Sequence, residues 1–157
     1  MLIKAYNKTK CKNEYKLVLV GDGPLKGYLE NLVRNLNLEE KVVFLWFQKN
    51  PYKYLRHASL FCFTSLSEAL PTVLIESLIL RIPILTVPVT WTKEILNNGE
   101  CGYITDNWDI DNYTRKIDEA IDNDNSDIIE NGTNFSNKKF SLEKMTLSYQ
   151  NMIEGIL

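Results

Sequence analysis

Short apolar runs alternate with longer amphipathic stretches along most of the chain. Lys16 to Val20, Lys41 to Leu45, Ser59 to Thr64 and Arg81 to Val87 each carry an apolar core of strand length. Continuous runs of this kind read as strands buried on both faces. Between them, Leu25 to Leu36 sets Leu25, Leu29, Leu32, Val33 and Leu36 on one side of a helix. Pro51 to His57 predicts a short helix, and Val73 to Leu80 an almost wholly apolar one. Trp91 to Asn98 predicts another, with Gly99 just past its end as a C-cap. Residues 1–10 read as the end of a helix, and Gly102 to Thr105 as a last short strand. This alternation predicts an α/β fold: three layers, α/β/α, with a mainly parallel sheet. No internal repeat is present.

After Asp106 the pattern changes. Asp109 to Ile121 predicts an acidic amphipathic helix, followed by a polar break over 122–127. Ser141 then has the shape of a cap for a helix running to the carboxyl terminus, with Lys144 where a capping box would place Glu. With no partner surface to rest on, residues 141–157 are expected to be loosely held.

At 157 residues the chain has the length of one domain, here taken as 1–157. Hydrophobic content of 45% with 24% charged residues is ordinary for a soluble domain. A net charge of −2 gives no electrostatic case for nucleic acid or an anionic membrane surface. Cys11, Cys62 and Cys101 are odd in number and far apart, which predicts reduced thiols, a cytoplasmic setting and no metal site. Cys62 reads as a small core residue. His57 is the only histidine, so neither a Ser-His-Asp triad nor a histidine-based zinc site can form within one chain. It falls at a helix end, where a cation suits the dipole. The opening Met1-Leu2-Ile3-Lys4 does not read as a secretory signal, and no run reaches the roughly 18 apolar residues of a membrane span. Two glycosylation sequons, at Asn131 and Asn134, are taken as chance.

The candidate chemistry lies in Ser65 to Glu76. Glu68 and Glu76 stand with seven residues between them, the first after an apolar strand and the second inside an apolar helix. Pro71 suits the first helical position, which puts the cap on Leu70, a residue with no side-chain acceptor. The N–H groups of Thr72 and Val73 are then expected to lack partners, and such an end suits a phosphate or a sugar hydroxyl. Thr72 and Glu76 are four apart and share one helix face. A carboxylate among Val73, Leu74, Ile75 and Ile79 is costly unless it is hydrogen-bonded. Two ribose hydroxyls would serve, and so would a Lys or Arg at the helix rim. Upstream, Gly21-Asp22-Gly23-Pro24 follows a strand at its carboxyl end, where ligands collect in open α/β sheets. It reads equally as a plain strand-to-helix turn. Its glycine spacing is not a dinucleotide fingerprint. Trp46 and Phe47 follow the next strand, as a stacking surface for a base or a cover for the sheet edge.

Taken in order, these segments resemble the retaining glycosyltransferases of family 4, which have two facing Rossmann-like domains. The resemblance rests on Leu17 to Pro24, on the Glu68–Glu76 spacing with Pro71-Thr72 between, and on Glu94 to Tyr103. It runs from about Leu2 to Tyr149. It implies that this chain is the carboxyl-terminal, donor-binding domain, transferring sugar from a UDP- or GDP-linked donor with retention, to a saccharide or lipid-linked acceptor. Glu68, Leu70, Thr72 and Val73 are implied to meet the donor sugar or diphosphate, and Glu76 the ribose. Gly21, Gly23, Phe47 and Trp91 are implied to edge the cleft. It implies no metal and no cofactor beyond the donor, and assigns no catalytic residue within this chain. The partner it implies is an acceptor-binding domain and first strand upstream of Met1, possible peripheral contact with the inner face of the membrane belonging to that half. The isolated chain is therefore expected to be inactive. A non-catalytic nucleotide-binding remnant or partner subunit, and a nucleotide-sugar epimerase, are the alternatives.

The chain departs from the family pattern at four positions. Ala69 follows the first Glu where glycine is usual, Arg81 replaces a glycine between helix and strand, Val87 replaces an Asp, and Trp91 a glycine. If the position of Arg81 needs positive φ, a non-glycine there costs about 1 kcal/mol or more.

Overall fold

The computed structural model describes residues 1–141, Glu143, Lys144 and Thr146. The loose hold expected for residues 141–157 concerns mostly residues outside these. Ser141 does act as a cap, its Oγ accepting from the Lys144 N–H at 3.2 Å.

Strands and helices alternate as the apolar pattern predicts. The order is α1 (Leu2–Lys8), β1 (Leu17–Val20), α2 (Lys26–Asn35), β2 (Val42–Trp46), α3 (Tyr52–Leu55), β3 (Phe61–Phe63), α4 (Thr72–Ile79), β4 (Ile84–Thr86), α5 (Thr92–Ile95), β5 (Tyr103–Ile104), α6 (Ile110–Asp122) and α7 (Ser126–Lys139). All strand pairing is parallel, as crossover helices require. The pairing falls into two separate ladders, β1-β2 and β3-β4-β5. In the first, Leu17 to Leu19 pair with Val42 to Phe44, then the register slips by one so that Val20 faces Trp46.

Period-two alternation on the strands builds three layers. Phe61, Phe63, Ile84 and Ile104 pack with Leu74 and Leu78 of α4 and Ile95 of α5. Cys62, Leu85 and Tyr103 turn to the other face, against Tyr113 and Ile117 of α6 and Ala5 of α1. Leu17, Leu19, Val42 and Phe44 pack with Ile3 and Tyr6 of α1 and with Leu29, Leu32 and Val33 of α2. Helix α1 thus lies beneath both ladders. Full burial of a side chain such as Leu74 stabilises by roughly 1.5–3 kcal/mol.

Three expectations are corrected. β1 was expected to be buried on both faces, yet Val18 and Val20 are 46% and 41% exposed because no helix covers that side. Leu25 was expected on the apolar side of α2, but it is the helix N-cap and is exposed. Thirdly, α7 begins inside the supposed polar break. Its Gly132 lies against α4, where an added Cβ would come within 2.8 Å of Leu78 Cδ2. Both sequons fall within this helix.

α6 starts where expected, on Asp109, whose side chain accepts from the Asn112 N–H at 2.8 Å. Cys62 is partly buried and packs against the core cluster, where desolvation beside Tyr113 pushes its thiol up to about 12. Tyr113 is fully buried, its hydroxyl donating to the Leu85 carbonyl at 3.1 Å.

Candidate functional site

The candidate residues gather at the carboxyl ends of the strands. Gly21 follows β1 with φ of 128°, a value that favours glycine, and its N–H donates to the Trp46 carbonyl at 2.9 Å. Gly23 donates its N–H to Asp22 Oδ1 at 2.8 Å, and nothing lies within 4 Å of a Cβ built on either glycine. Trp46 ends β2 in the left-handed region, φ 51°. Its ring stacks on Phe44 at 4.7 Å, with Lys26 Nζ 4.1 Å from its centroid. These neighbours favour the sheet-edge role over an open stacking surface. Phe47, next along, is 74% exposed.

The stretch from β3 into α4 is built differently from its sequence expectation at one atom. The helix starts at Thr72 with Pro71 as its N-cap, one residue later than expected, and without a side-chain cap. Pro71 at φ −79° and ψ 78° folds the chain into a tight turn, so the Thr72 N–H donates to the Leu70 carbonyl at 2.9 Å. That amide is not free. The Val73 N–H has no acceptor among the described residues.

Glu68 lies in the exposed loop before the helix, where Ser65 Oγ donates to its Oε1 at 2.8 Å. It lines a cavity of about 450 Å³ with Leu66, Ser67, Pro88, Val89, Thr90 and Trp108. Pro88, Val89, Thr90 and Trp108 follow β4 and β5, and sequence reasoning passed over all four. Their place after strand ends was the available signal, and Trp108 had no motif to mark it. Glu76 is half-buried on α4 and does not line this cavity. Its carboxylate has no Lys or Arg partner and no hydrogen bond among the described residues, so the rim ion pair is not formed by any of them. Leu70 is 51% exposed, and Trp91, the N-cap of α5, is 37% exposed. The structure therefore brings Glu68 to the cavity, and sets Thr72, Val73 and Glu76 on the neighbouring helix.

Nothing in this arrangement builds a metal site among the described residues. His57 is exposed beside Arg56, whose Nε lies 3.1 Å from its Nε2. No helix among the described residues is long and apolar enough to cross a membrane. Near the α4–β4 connection, Arg81 occupies the left-handed region at φ 60°. The glycine-like demand at that position is real, and an arginine meets it under strain.

Comparison with known proteins follows the same outline. The family model described as glycosyl transferases group 1 matches residues 1–135. An uncharacterized glycosyltransferase of Methanocaldococcus jannaschii is 41% identical over 97 residues, which is 60% of this chain and 24% of that protein. The N-acetylgalactosamine-N,N'-diacetylbacillosaminyl-diphospho-undecaprenol 4-alpha-N-acetylgalactosaminyltransferase of Campylobacter jejuni is 39% identical over 107 residues, 68% of this chain and 29% of that enzyme. The crystal structure of Anabaena HepE in complex with UDP superposes with a TM-score of 0.86 at 20% identity, over 98% of this chain and 44% of that one. The chain thus spans roughly a quarter to a third of the length of these curated relatives. With the ordered segments, the three-layer fold and a family match over most of its length, the chain belongs to the glycosyl transferases group 1 family.

Proposed function

We propose that the chain forms the donor-binding part of a nucleotide-sugar-dependent retaining glycosyltransferase. In the reaction an acceptor hydroxyl replaces the nucleoside diphosphate at the anomeric carbon of the sugar, and the hydroxyl proton is given up. The donor is a substrate, and this reading needs no further cofactor or metal. The observation that carries it is the half-buried Glu76 carboxylate, without a partner among the described residues, on a helix whose first turn leaves the Val73 N–H without an acceptor among them. A carboxylate in such a place is stabilised by hydroxyl donors, as the vicinal pair of a ribose supplies. The Val73 amide and the Thr72 hydroxyl are proposed to meet the diphosphate or sugar, beside Leu70. Glu68, in the cavity with Trp108, is proposed to meet the sugar hydroxyls. Gly21, Gly23, Phe47 and Trp91 border the same end of the strands. The HepE structure was solved with UDP, which supports the donor class.

Acceptor recognition is proposed to lie outside these 157 residues, since the matched stretches make up only 24% and 29% of the two relatives. Both named relatives are transferases, which favours this reading over an epimerase or a non-catalytic subunit.

Calorimetric titration of the folded chain with UDP, GDP and their sugar conjugates tests the proposal. Glu76→Ala is expected to weaken binding about ten- to a hundredfold, the range for losing a charge-assisted hydrogen bond. Equal binding by Glu76→Ala, or no binding of any of these nucleotides to the folded chain, overturns it.

A further inference from the structure

The cavity beside Glu68 has a lining of uneven chemistry. Its volume of about 450 Å³ is that of a small-molecule site, for which roughly 300–1,000 Å³ is usual. Leu66, Pro88, Val89 and Trp108 give it an apolar surface, and Glu68 is its one ionisable side chain. Among the described residues no Lys, Arg or His lines it, and the remaining residues of the chain contain none. The cavity therefore has nothing to neutralise an anion and sets a carboxylate where an anion would lie.

Trp108 is the part of this lining that is held in place. It packs against the cluster of Leu85, Val87 and Tyr113 while bordering the cavity. The chain on either side of it is bonded down. Thr105 Oγ1 donates to the Asn107 carbonyl at 2.8 Å, and the Asp109 N–H donates to Asn107 Oδ1 at 3.1 Å. Asp109 in turn caps α6. On the loop after β4, the Thr92 hydroxyl donates to the Val89 carbonyl at 2.8 Å. An aromatic side chain fixed by its own surroundings gives binding surface without losing rotamer freedom when a ligand arrives. At Glu68, Ser65 Oγ takes up Oε1 and leaves Oε2 without a donor among the described residues.

We propose that Trp108 is a specificity-determining residue, and that the cavity takes an uncharged pyranose, a hexose or N-acetylhexosamine, in preference to a hexuronic acid. The inference rests on the donor-site reading above and names the class of sugar that the site accepts. A pyranose carries hydroxyls round its rim and presents a face of C–H groups. The rim suits Glu68 Oε2 as acceptor, with the Thr90 hydroxyl beside it, and the C–H face suits the indole ring. A hexuronic acid keeps the ring but carries a carboxylate in place of the hydroxymethyl group on C5. Here that carboxylate loses water beside Glu68 and meets no cation.

Calorimetry on the full chain compares UDP, UDP-glucose, UDP-N-acetylglucosamine and UDP-glucuronate, with GDP, GDP-mannose and GDP-mannuronate as a second set. Uncharged donors are expected to bind at least about tenfold more tightly than the uronate of the same nucleotide. Trp108→Ala is expected to weaken an uncharged donor about tenfold and the bare nucleotide less than twofold, a split that a merely structural role does not produce. Thr90→Lys covers the case of a Trp108 variant that fails to fold. It changes an exposed residue of the lining and adds the missing cation. It is expected to tighten the uronate about tenfold and to leave the uncharged donors unchanged. A uronate that binds the native chain as tightly as an uncharged donor overturns the proposal. So does an unchanged preference in Thr90→Lys, or an equal loss of nucleotide and donor in Trp108→Ala. If the bare nucleotide still binds in those cases, the nucleotide reading stands and only the sugar class falls. If no nucleotide binds the folded chain, both fall.

Discussion

Replacing Arg81 by glycine should make this protein more stable, and the reason lies in how α4 ends. Leu80 is the C-cap, and the chain reverses at Arg81 with φ of 60°. The Arg81 N–H donates to the Leu78 carbonyl at 3.1 Å, and the Ile82 N–H to the Ser77 carbonyl at 3.0 Å. These paired bonds satisfy the carbonyls at the helix end, and the left-handed residue between them is usually glycine. A side chain there crowds its own carbonyl, at a cost of roughly 1–2 kcal/mol. Glycine removes that crowding but frees the unfolded chain, giving back about 0.4–1 kcal/mol. The Arg81 side chain contributes little to set against this, because it is exposed and its bond to Thr133 Oγ1 is long, 3.4 Å. The net gain is about 0.5–1 kcal/mol, a rise in Tm of about 1–4 °C for a chain this size. Differential scanning calorimetry measures it. Arg81→Ala keeps the Cβ and therefore the strain, and is expected to give no gain. A lower Tm for Arg81→Gly, or an equal gain from Arg81→Ala, would refute the reasoning.

Two further outcomes follow from the core. Desolvation pushes the Cys62 thiol up to about 12 in the folded chain from its ordinary 9.0, so the folded state keeps a proton that the unfolded state loses. Its contribution is complete below about pH 9 and declines as pH rises toward 12, at up to about 1.4 kcal/mol per unit. Tyr113, also raised by burial, adds to the decline above pH 10. Urea titrations from pH 8 to 11 should show a shallower loss for Cys62→Ala than for the native chain, and parallel loss in the two would refute this. Tyr113→Phe deletes the hydroxyl that donates to Leu85 and is expected to cost about 1 kcal/mol, seen as a lower urea midpoint at unchanged slope. An unmoved midpoint would show the bond to be of no net value.

The fold was legible wherever a local pattern and its tertiary setting agreed. Short runs bounded by turns placed the five strands of the described residues, and Asp109 marked the start of α6 by its own capping chemistry. The strained position at Arg81 was legible because a glycine was expected there. What stayed hidden depended on neighbours distant in sequence. Leu17 to Val20 reads as buried on both faces, yet only Leu17 and Leu19 find a partner layer. Ser126 to Lys139 contains Asn131-Gly132-Thr133-Asn134, poor helix formers, and is helical where Gly132 lets α7 close onto Leu78. At the candidate site, Glu68 and Glu76 were singled out by their spacing, and the structure puts Glu68 in the cavity and Glu76 on α4 outside it. The turn that occupies the Thr72 amide comes from the ψ of Pro71, which no residue type dictates. Trp108 reaches the Glu68 cavity through the end of β5, a placement that exists only once the sheet is assembled.

Helix α1 is seven residues long, too short to hold its shape in isolation. It is nonetheless the one described element with side chains in the clusters of both ladders. Cooperative melting of the whole protein therefore passes through its least self-sufficient helix. If α1 lifts away, Leu17, Leu19 and Val42 lose their cover on one side and Leu85 and Tyr113 on the other. The two ladders then become independent folding units, and a single thermal transition becomes two. The unity of this domain is a property of about two amphipathic turns, shared between two cores.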